Sequence, residues 1–419
     1  MLSGESILCF APDPWDDIWR NRHQIMSLLA EANQVLYIEP RPYLRAVFQR
    51  AIRGKISLAE LGAPRLSTVQ TSFNPPDKSV GTGFKPVPTW WKPGLHVFRH
   101  PLYAPLSGRA PFSTLTNAIR VASLRRAMGR LKMSRPILWL FRPEMADVPG
   151  YYGERLLIYH IVDEYTGYGD LDPARADDMR RRERELIAQA DLVLVTSRAL
   201  LESKRGINPN THWVPNGVDY ERFASAAAAR REPEEMVGLP HPRIGYVGAI
   251  NDKIDAGLLL QVAEAYPQAT IVMVGPVRVG SEDTRGGLVR LRSRPNVRFM
   301  GQVPVERVPE FMAACDVGLL PYQRSIWTEN IQPLKLYEYL ACGLPVVSTE
   351  IPAVRDEGDI ISVADDPHSF VASVGQALAV DSDALRAMRQ MRASQNTWRE
   401  RVERISELIG ATRGRAGGH

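Results

Sequence analysis

A lysine and a glutamate lie three positions apart within residues 330–349, in a pattern suited to a phosphate-bearing ligand. Pro333 suits the first turn of a helix, and Gly343 can end that helix in a left-handed turn. Free N–H groups at a helix start attract anions, and Lys335 adds a positive charge there. Glu338, one turn further on, can accept hydrogen bonds from ribose hydroxyls. The segment therefore predicts a nucleoside diphosphate site, with a plain capped amphipathic helix as the alternative.

The elements that position this segment are short apolar runs alternating with helical patterns, which predict parallel sheets built from βαβ units. In the first half the apolar runs include residues 6–11, 34–39, 136–141, 156–162 and 191–196. In the second half they are residues 243–247, 269–274, 297–300, 317–320 and 345–348. We expect an α/β protein with two doubly wound domains that face a cleft. Ligands bind such sheets beyond the carboxyl ends of the strands.

The chain has 419 residues, which is long for one domain and favours two. A polar, Ala- and Arg-rich stretch at residues 225–240 predicts a linker. We expect a first domain, a second domain, and a C-terminal helix and tail that return to the first domain. These three parts are residues 1–220, 221–395 and 396–419.

The cysteines Cys9, Cys315 and Cys342 are far apart and show no C-x-x-C spacing. Neither a disulfide framework nor a zinc site is indicated, and a reducing compartment fits best. No targeting signal is evident near Met1, and no apolar run approaches the length of a membrane span. We expect a cytoplasmic protein, either soluble or peripheral at the inner membrane face.

A basic block at residues 41–142 holds 18 Lys and Arg but only two acidic residues, Glu60 and Asp77. The rest of the chain is acidic, so this asymmetry suggests an anionic partner. Nucleic acid, an anionic membrane surface and a lipid-phosphate acceptor are candidates, and a merely solvated basic face is the alternative. Residues 43–56 predict a short basic amphipathic helix. No nucleic-acid-binding module is recognisable, so we expect no nucleic-acid partner.

The pattern P-x-K-x-x-E-Y-x-A-x-G-x-P-V-V that begins at Pro333 resembles the donor-site signature of GT-B glycosyltransferases of family 4. It is most similar to the bacterial branch of teichuronic-acid, capsule and exopolysaccharide transferases. Further segments match the family's interdomain motif, the first strand of its donor domain and two later strands. These segments are residues 214–223, 246–250, 297–302 and 316–322. The resemblance covers residues 155–350 well and the first third weakly, and it implies two Rossmann-like domains.

The resemblance implies that Glu338 binds the donor ribose. The family's other acid should lie eight residues earlier, where this chain has Asn330. In the family an arginine often follows the glycine that matches Gly248, but this chain has Ala249 there. Lys335 is therefore the first candidate to neutralise the diphosphate, and Lys253 is the second. The implied donor-binding residues are Gly248, Lys253, Gly275, Tyr322, Asn330, Ile331, Lys335 and Glu338.

The N-terminal domain is expected to hold the acceptor. His160 and Asp163 follow an apolar strand, so either one could contact the transferred sugar or the incoming hydroxyl. A structural hydrogen bond or a helix cap is the alternative for each. Trp19 and Arg22 follow the first predicted strand, and Arg22 could reach a phosphate or an acceptor anion. Its alternative is a surface arginine that pairs with Asp16 or Asp17. The catalytic candidates are His160, Asp163, Asn330 and Glu338.

The family implies transfer of a sugar from a nucleotide diphosphate, with retention at the anomeric carbon, to a glycan or lipid-linked acceptor. Positioned cations and helix N–H groups stabilise the departing diphosphate, so no cofactor or metal is expected. A nucleotide-sugar epimerase and a non-catalytic nucleotide-sugar-binding or glycan-binding homologue are the alternatives. The Asp170-Leu171-Asp172 sequence resembles a metal-binding motif, but its context favours a turn or helix cap.

Overall fold

Two parallel β-sheets organise the computed structural model of the chain. It describes residues 1–41, 43–44, 47–48, 52, 65–68, 94–105, 112–165 and 172–416. Within these residues the first sheet has eight strands and the second has six. We call the first sheet with its helices the first domain, and the second sheet with its helices the second domain. This arrangement agrees with the α/β class expected from the alternation of apolar runs and helices.

The first sheet has the strand order β3-β4-β2-β1-β5-β6-β7-β8. Its neighbouring strands run parallel, except that β3 is antiparallel to β4. The strands are β1 Ser6–Phe10, β2 Gln34–Ile38, β3 Arg65–Thr68, β4 Leu95–Arg99, β5 Ile137–Leu140, β6 Leu156–Ile161, β7 Leu192–Val195 and β8 Thr211–Trp213. The helices are α1 Asn21–Leu29, α2 Phe112–Arg130, α3 Pro173–Gln189 and α4 Arg198–Lys204.

The second sheet is parallel throughout, in the order β11-β10-β9-β12-β13-β14. Its strands are β9 Arg243–Val247, β10 Thr270–Val274, β11 Val297–Gly301, β12 Val317–Leu320, β13 Val346–Thr349 and β14 Ser362–Ala364. Its helices are α5 Tyr220–Ala229, α6 Ala256–Ala265, α7 Glu282–Arg292, α8 Val308–Ala313, α9 Ile326–Asn330, α10 Leu334–Ala341, α11 Pro367–Ala379 and α12 Asp383–Ser394. The last helix of the chain is α13 Trp398–Ala416.

Most central strands are buried at every position, because helices cover both faces of each sheet. This explains why they appear in the sequence as continuous apolar runs. Helix α13 lies against the first domain, not the second. Its Trp398, Val402 and Ile405 are buried in the same cluster as Ile7 and Val35.

The chain crosses between the domains twice, and the two crossings pair with each other. The Val218 N–H donates to the Asn396 carbonyl at 2.9 Å, and the Trp398 N–H donates to the Val218 carbonyl at 3.1 Å. A side chain at Gly217 would lie 2.7 Å from the backbone at Thr397 and Trp398. Glycine is therefore required where the two crossings touch.

The structure differs from the sequence expectations at several short elements. Strand β3 is not among the apolar runs that the sequence analysis assigned to strands. The proposed linker at residues 225–240 begins inside helix α5, so its first five residues are helical. The predicted helix at residues 43–56 lies mostly outside the described residues.

Candidate active site

A cavity of about 420 Å³ lies between the two domains. The first-domain wall comes mainly from the loop after β1 and the start of α1, residues 15–24, with Val162 and Asp163 after β6. The second-domain wall comes from the loops after β9, β10 and β11 and from residues 331–338. Because these segments follow the carboxyl ends of parallel strands, the cavity occupies the position expected for a ligand site.

Lys335 lies in the first turn of α10, after Pro333 in extended conformation. Its Nζ donates to the Tyr322 hydroxyl at 3.3 Å and lies 4.7 Å from the centre of the Tyr246 ring. Burial opposes the charge on Lys335, but the tyrosines outweigh burial and the pKa of the amine is raised. Lys335 is therefore a protonated amine in the cavity wall.

Two glycines allow the second-domain wall to pack this closely. Gly248 has a φ of +140°, and a Cβ there would lie 2.3 Å from Lys335 Cε. Gly275 has a φ of +135°, and its Cβ would lie 2.2 Å from the Gly248 carbonyl oxygen. Both positions therefore need glycine for the backbone angle and for space. The bare backbone at Gly248 faces the Lys335 amine.

Glu338 lies one turn after Lys335 and lines the cavity. Burial raises the pKa of its carboxyl group to about 7, although Lys335 and Arg222 favour the charged form. Arg222, on helix α5, is held by a 2.6 Å hydrogen bond from its Nη2 to the Val305 carbonyl. Glu338 is thus an acceptor whose charge changes near neutral pH.

Lys253 provides the second amine of this wall. Its Nζ lies 4.8 Å from the centre of the Trp327 ring. Burial lowers the pKa of Lys253 to about 8. The positive charges of Lys335 and Arg20 lower this pKa further, whereas the negative charge of Asp163 across the cleft raises it. Within the described ranges, no carboxylate forms an ion pair with Lys253 or Lys335. Two partly buried amines that form no ion pair among the described residues make this wall suited to a doubly charged anion.

Residues 241–379 match a family model described as Glycosyl transferases group 1. The chain is 27% identical over 336 residues to TuaH of Bacillus subtilis (strain 168), which is named as a teichuronic acid biosynthesis glycosyltransferase. That match covers 75% of this chain and 80% of TuaH. A GDP-mannose-dependent alpha-(1-6)-phosphatidylinositol monomannoside mannosyltransferase of Mycolicibacterium smegmatis is 26% identical over 289 residues, which is 62% of this chain and 72% of that protein.

Solved structures agree with this match at the level of the fold. Anabaena Alr3699/HepE, in complex with UDP and glucose, superposes with a TM-score of 0.63 at 15% identity, over 97% of this chain and 99% of HepE. Sucrose-phosphate synthase from Thermosynechococcus elongatus gives 0.64 at 18% identity, over 97% and 98%. The chain is a GT-B glycosyltransferase. The fold and enzyme class implied by the sequence resemblance are therefore confirmed.

In this glycosyltransferase, Trp19, Arg22 and Asp163 line the first-domain wall of the cavity. Arg22 is buried, and its Nε donates to Asp13 Oδ2 at 3.1 Å. The alternative of a surface arginine that pairs with Asp16 or Asp17 is therefore wrong. Asp16 pairs with Arg99 at 2.8 Å, and Asp17 pairs with Arg278 of the second domain at 2.7 Å.

Two predicted residues of the glycosyltransferase lie away from the cavity surface. His160 is buried beneath it, with its ring stacked on Phe141 at 5.2 Å between centroids. Burial and the nearby Arg22 lower the pKa of His160 to about 3, so the imidazole is neutral. Asn330 ends helix α9, and its Nδ2 donates to the Ile326 carbonyl at 2.8 Å. Neither placement supports the direct sugar contact expected for these two residues.

The remaining donor-site candidates lie together in the second-domain wall, on four separate segments. The cavity-lining members are Gly248, Lys253, Gly275, Tyr322, Ile331, Lys335 and Glu338. The sequence analysis missed Arg20, Asn216 and Arg222, which also line the cavity. Asn216 Nδ2 donates to the Gln332 carbonyl at 2.8 Å and so ties the interdomain motif to the start of α10. The interdomain motif predicted that this segment lies at the cleft, but it did not indicate which of its side chains face the cavity.

The acidic sequence at residues 170–172 is only partly described. Asp172 is the N-cap of helix α3, where its side chain accepts hydrogen bonds from the Ala174 and Arg175 N–H groups. The cap expected there is therefore confirmed for Asp172, and residues 170–171 lie outside the described residues. In the part of the glycosyltransferase that the structure describes, no group of three or more His, Cys, Asp or Glu side chains is arranged to hold a metal.

Proposed function

We propose that this glycosyltransferase transfers a sugar, with retention, from a nucleotide-diphosphate sugar to a glycan or lipid-linked acceptor in cell-surface polysaccharide synthesis. The observation that carries the proposal is the pair of amines, Lys253 and Lys335, that form no ion pair among the described residues and lie beside Glu338. The amines match the two charges of a diphosphate, and the carboxylate matches the hydroxyls of a ribose. Cleavage of the sugar–phosphate bond increases the charge on the leaving diphosphate, which preorganised cations stabilise.

The names of the relatives support both parts of this proposal. TuaH is named for teichuronic acid biosynthesis, and the mycobacterial relative is named for GDP-mannose and a phosphatidylinositol mannoside. HepE was solved with UDP and glucose. These names favour a nucleotide-sugar donor and a cell-surface saccharide or glycolipid acceptor. They differ in the base, so the proposal leaves the choice between uridine and guanosine to experiment.

The cations of the cavity also lead us to propose that transfer needs no divalent metal ion. Lys253 and Lys335 occupy the second-domain wall, and the start of α10 presents backbone N–H groups beside them. Together they offer the positive charge that a metal would otherwise supply to the diphosphate. Activity that is unchanged by EDTA would support this part of the proposal, and activity restored only by added Mg²⁺ or Mn²⁺ would contradict it.

We further propose that the basic region, residues 41–142, docks on an anionic membrane surface. Leu44, Phe48 and Ile52 are exposed apolar residues four positions apart, and Phe112 and Leu115 are also exposed. Apolar side chains among basic residues suit the interface of an anionic bilayer. None of the helices in the described ranges has the length and apolar character of a membrane span. Flotation with anionic and neutral liposomes at low salt tests this docking, and equal or absent binding would contradict it.

The donor proposal is tested first by a thermal-shift panel of UDP, GDP, ADP and their sugars. A ligand at about 100 times its dissociation constant adds roughly 2.7 kcal/mol of stability. One nucleotide should shift the unfolding temperature, and the Lys335→Met variant should lose that shift. A flat response across the panel would contradict the proposal. With the identified donor, NMR of the product separates a retained anomer from an inverted one, and sugar-nucleotide conversion without acceptor would indicate an epimerase.

A further inference from the structure

Two arginines in the first-domain wall share one carboxylate. Arg22 Nε donates to Asp13 Oδ2 at 3.1 Å, and Arg20 Nε lies 3.4 Å from the same oxygen. Arg20 and Arg22 both line the cavity. The other carboxylates of this loop are engaged elsewhere, because Asp16 pairs with Arg99 and Asp17 pairs with Arg278. Asp13 can balance only one of the two guanidinium charges.

Arg22 is also incompletely hydrogen-bonded. Only 5% of its side chain is exposed, and its Nη1 has no hydrogen-bond partner among the described residues. Its guanidinium lies 5.5 Å from the centre of the Phe141 ring, which also stacks on His160. The neutral imidazole of His160 adds no negative charge. A buried donor without a hydrogen-bond partner destabilises the protein, so a ligand atom that accepts from Nη1 would bind favourably there.

Aromatic rings border the same part of the cavity. Trp15 and Trp19 line it, with their ring centroids 5.6 Å apart in an edge-to-face arrangement. Trp19 also stacks on His23, which fixes the plane of the indole. Flat, rigid indoles offer apolar surface to the C–H face of a sugar ring, while an adjacent arginine can bind a carboxylate or phosphate. The wall thus combines features that suit a charged sugar.

We propose that the first-domain wall binds an acceptor sugar that carries a carboxylate or a phosphate, with Arg22 recognising the anionic group and Trp19 contacting the ring. The inference rests on the proposed function, since it assigns the acceptor of that reaction. The donor does not need these arginines, because Lys253 and Lys335 already provide two positive charges for its diphosphate on the opposite wall. Arg22 and Trp19 therefore determine which acceptor is used.

Three sugars that differ only at C6 test this assignment: glucose, glucuronic acid and glucose 6-phosphate. Their binding to the full-length protein, saturated with the nucleotide found in the thermal-shift panel, is measured by ligand-observed NMR titration. We expect at least one anionic sugar to bind about tenfold more tightly than glucose, equivalent to ~1.4 kcal/mol. The arm that binds more tightly identifies carboxylate or phosphate as the preferred group.

The variants separate recognition from folding. Arg22→Gln should remove the preference for the anionic sugar, and Arg22→Lys keeps a positive charge beside Asp13 while removing the planar guanidinium. Trp19→Ala should weaken all three sugars equally, whereas the exposed Arg285→Gln on α7 is a control that changes nothing. Nucleotide binding, followed by thermal shift, should persist in every variant. If the wild-type protein binds no nucleotide, the donor proposal fails, and the proposal about the acceptor sugar is not contradicted by that result.

Two results would overturn the assignment. The first is that the wild-type protein, with nucleotide bound, binds the three sugars equally or binds none of them. The second is that a folded Arg22→Lys or Arg22→Gln variant keeps the full preference for the anionic sugar. Loss of that preference with nucleotide binding intact would support it.

Discussion

The two walls of the cleft hold their cations in different ways. On the second-domain wall, Lys253 and Lys335 lie against aromatic rings and form no ion pair in the part of the chain that the structure describes. On the first-domain wall, Arg20 and Arg22 are both anchored by Asp13. Unpaired buried charge is costly, and it is retained where a ligand supplies the counterion. The comparison indicates that the second-domain wall is built for a multiply charged ligand, and that the first-domain wall needs only one further negative charge.

The largest effect should follow removal of the amine at position 335. We expect Lys335→Met to reduce kcat by about 10²–10³-fold, because the departing diphosphate loses one positioned cation. The control is Lys132→Met, since Lys132 is exposed and lies outside the cavity. Steady-state kinetics with the cognate donor measures both variants. Equal activity of the two variants would remove the distinction between the walls.

The next effect concerns the glycine beside that amine. Gly248→Ala places a methyl group where Lys335 Cε lies, and it also strains a backbone with positive φ. We expect a stability loss of about 1–3 kcal/mol together with weaker nucleotide binding. Gly150→Ala is the matched control, because Gly150 also has positive φ, +89°, but has no atom within 4 Å of the new methyl. Urea unfolding and nucleotide titration should show strain in both variants and a binding defect only at Gly248.

Glu338 predicts a pH dependence that is specific to the second-domain wall. Its pKa is about 7, raised by burial against the opposing effect of Lys335. In the proposed donor complex, the ionised carboxylate accepts hydrogen bonds from the ribose, so we expect affinity to be highest above about pH 7 and to fall as pH decreases through that value. Between about pH 8 and pH 6 we expect roughly a fivefold loss, because the ionised fraction of Glu338 falls about tenfold while the protonated fraction of Lys253, whose pKa is about 8, about doubles. Calorimetry with a nucleotide sugar, whose diphosphate does not titrate in this range, measures the loss. The Glu338→Gln variant should bind with little pH dependence.

The smallest effect should come from the ion pair that joins the walls. Asp17→Asn breaks the contact with Arg278, whose side chain is 43% exposed. A pair this exposed contributes less than about 1 kcal/mol to stability. Asp16→Asn is the control, because it breaks a comparable pair with Arg99 within the first domain. Small-angle scattering should show a larger radius of gyration only for Asp17→Asn, and an equal change in both would contradict a role across the cleft.

The second-domain wall was largely predictable from the sequence, and the first-domain wall was not. Lys335, Glu338 and Gly343 follow one another on a single helix, so their spacing carried the prediction. Gly343 ends that helix with a φ of +76°, as expected. The roles of Arg20 and Arg22, in contrast, depend on their contacts with Asp13 and on a cavity that is formed by segments distant in the sequence. A lone arginine after a strand does not reveal such partners.

Other differences have local physical causes. His160 follows the strand pattern so closely that it remains inside β6 and beneath the cavity, whereas Asp163 emerges two residues after the strand ends. Asn330 occupies the position of the family's other acid, but its amide donates a hydrogen bond to the carbonyl of Ile326, the first residue of its own helix. Strands β8 and β14 are three residues long, too short for an alternation or an apolar run to mark them.

The return of helix α13 to the first domain has a consequence for protein synthesis. The sheet of the first domain is complete once Trp213 has left the ribosome, but its core also contains Trp398 and Val402. At about 5–20 residues per second, those residues follow roughly 10–40 s later. We therefore expect the first domain to remain incompletely packed, with an apolar face exposed to solvent, until translation is nearly finished. Nascent chains arrested before residue 398 should be cleaved by protease more readily than chains released in full.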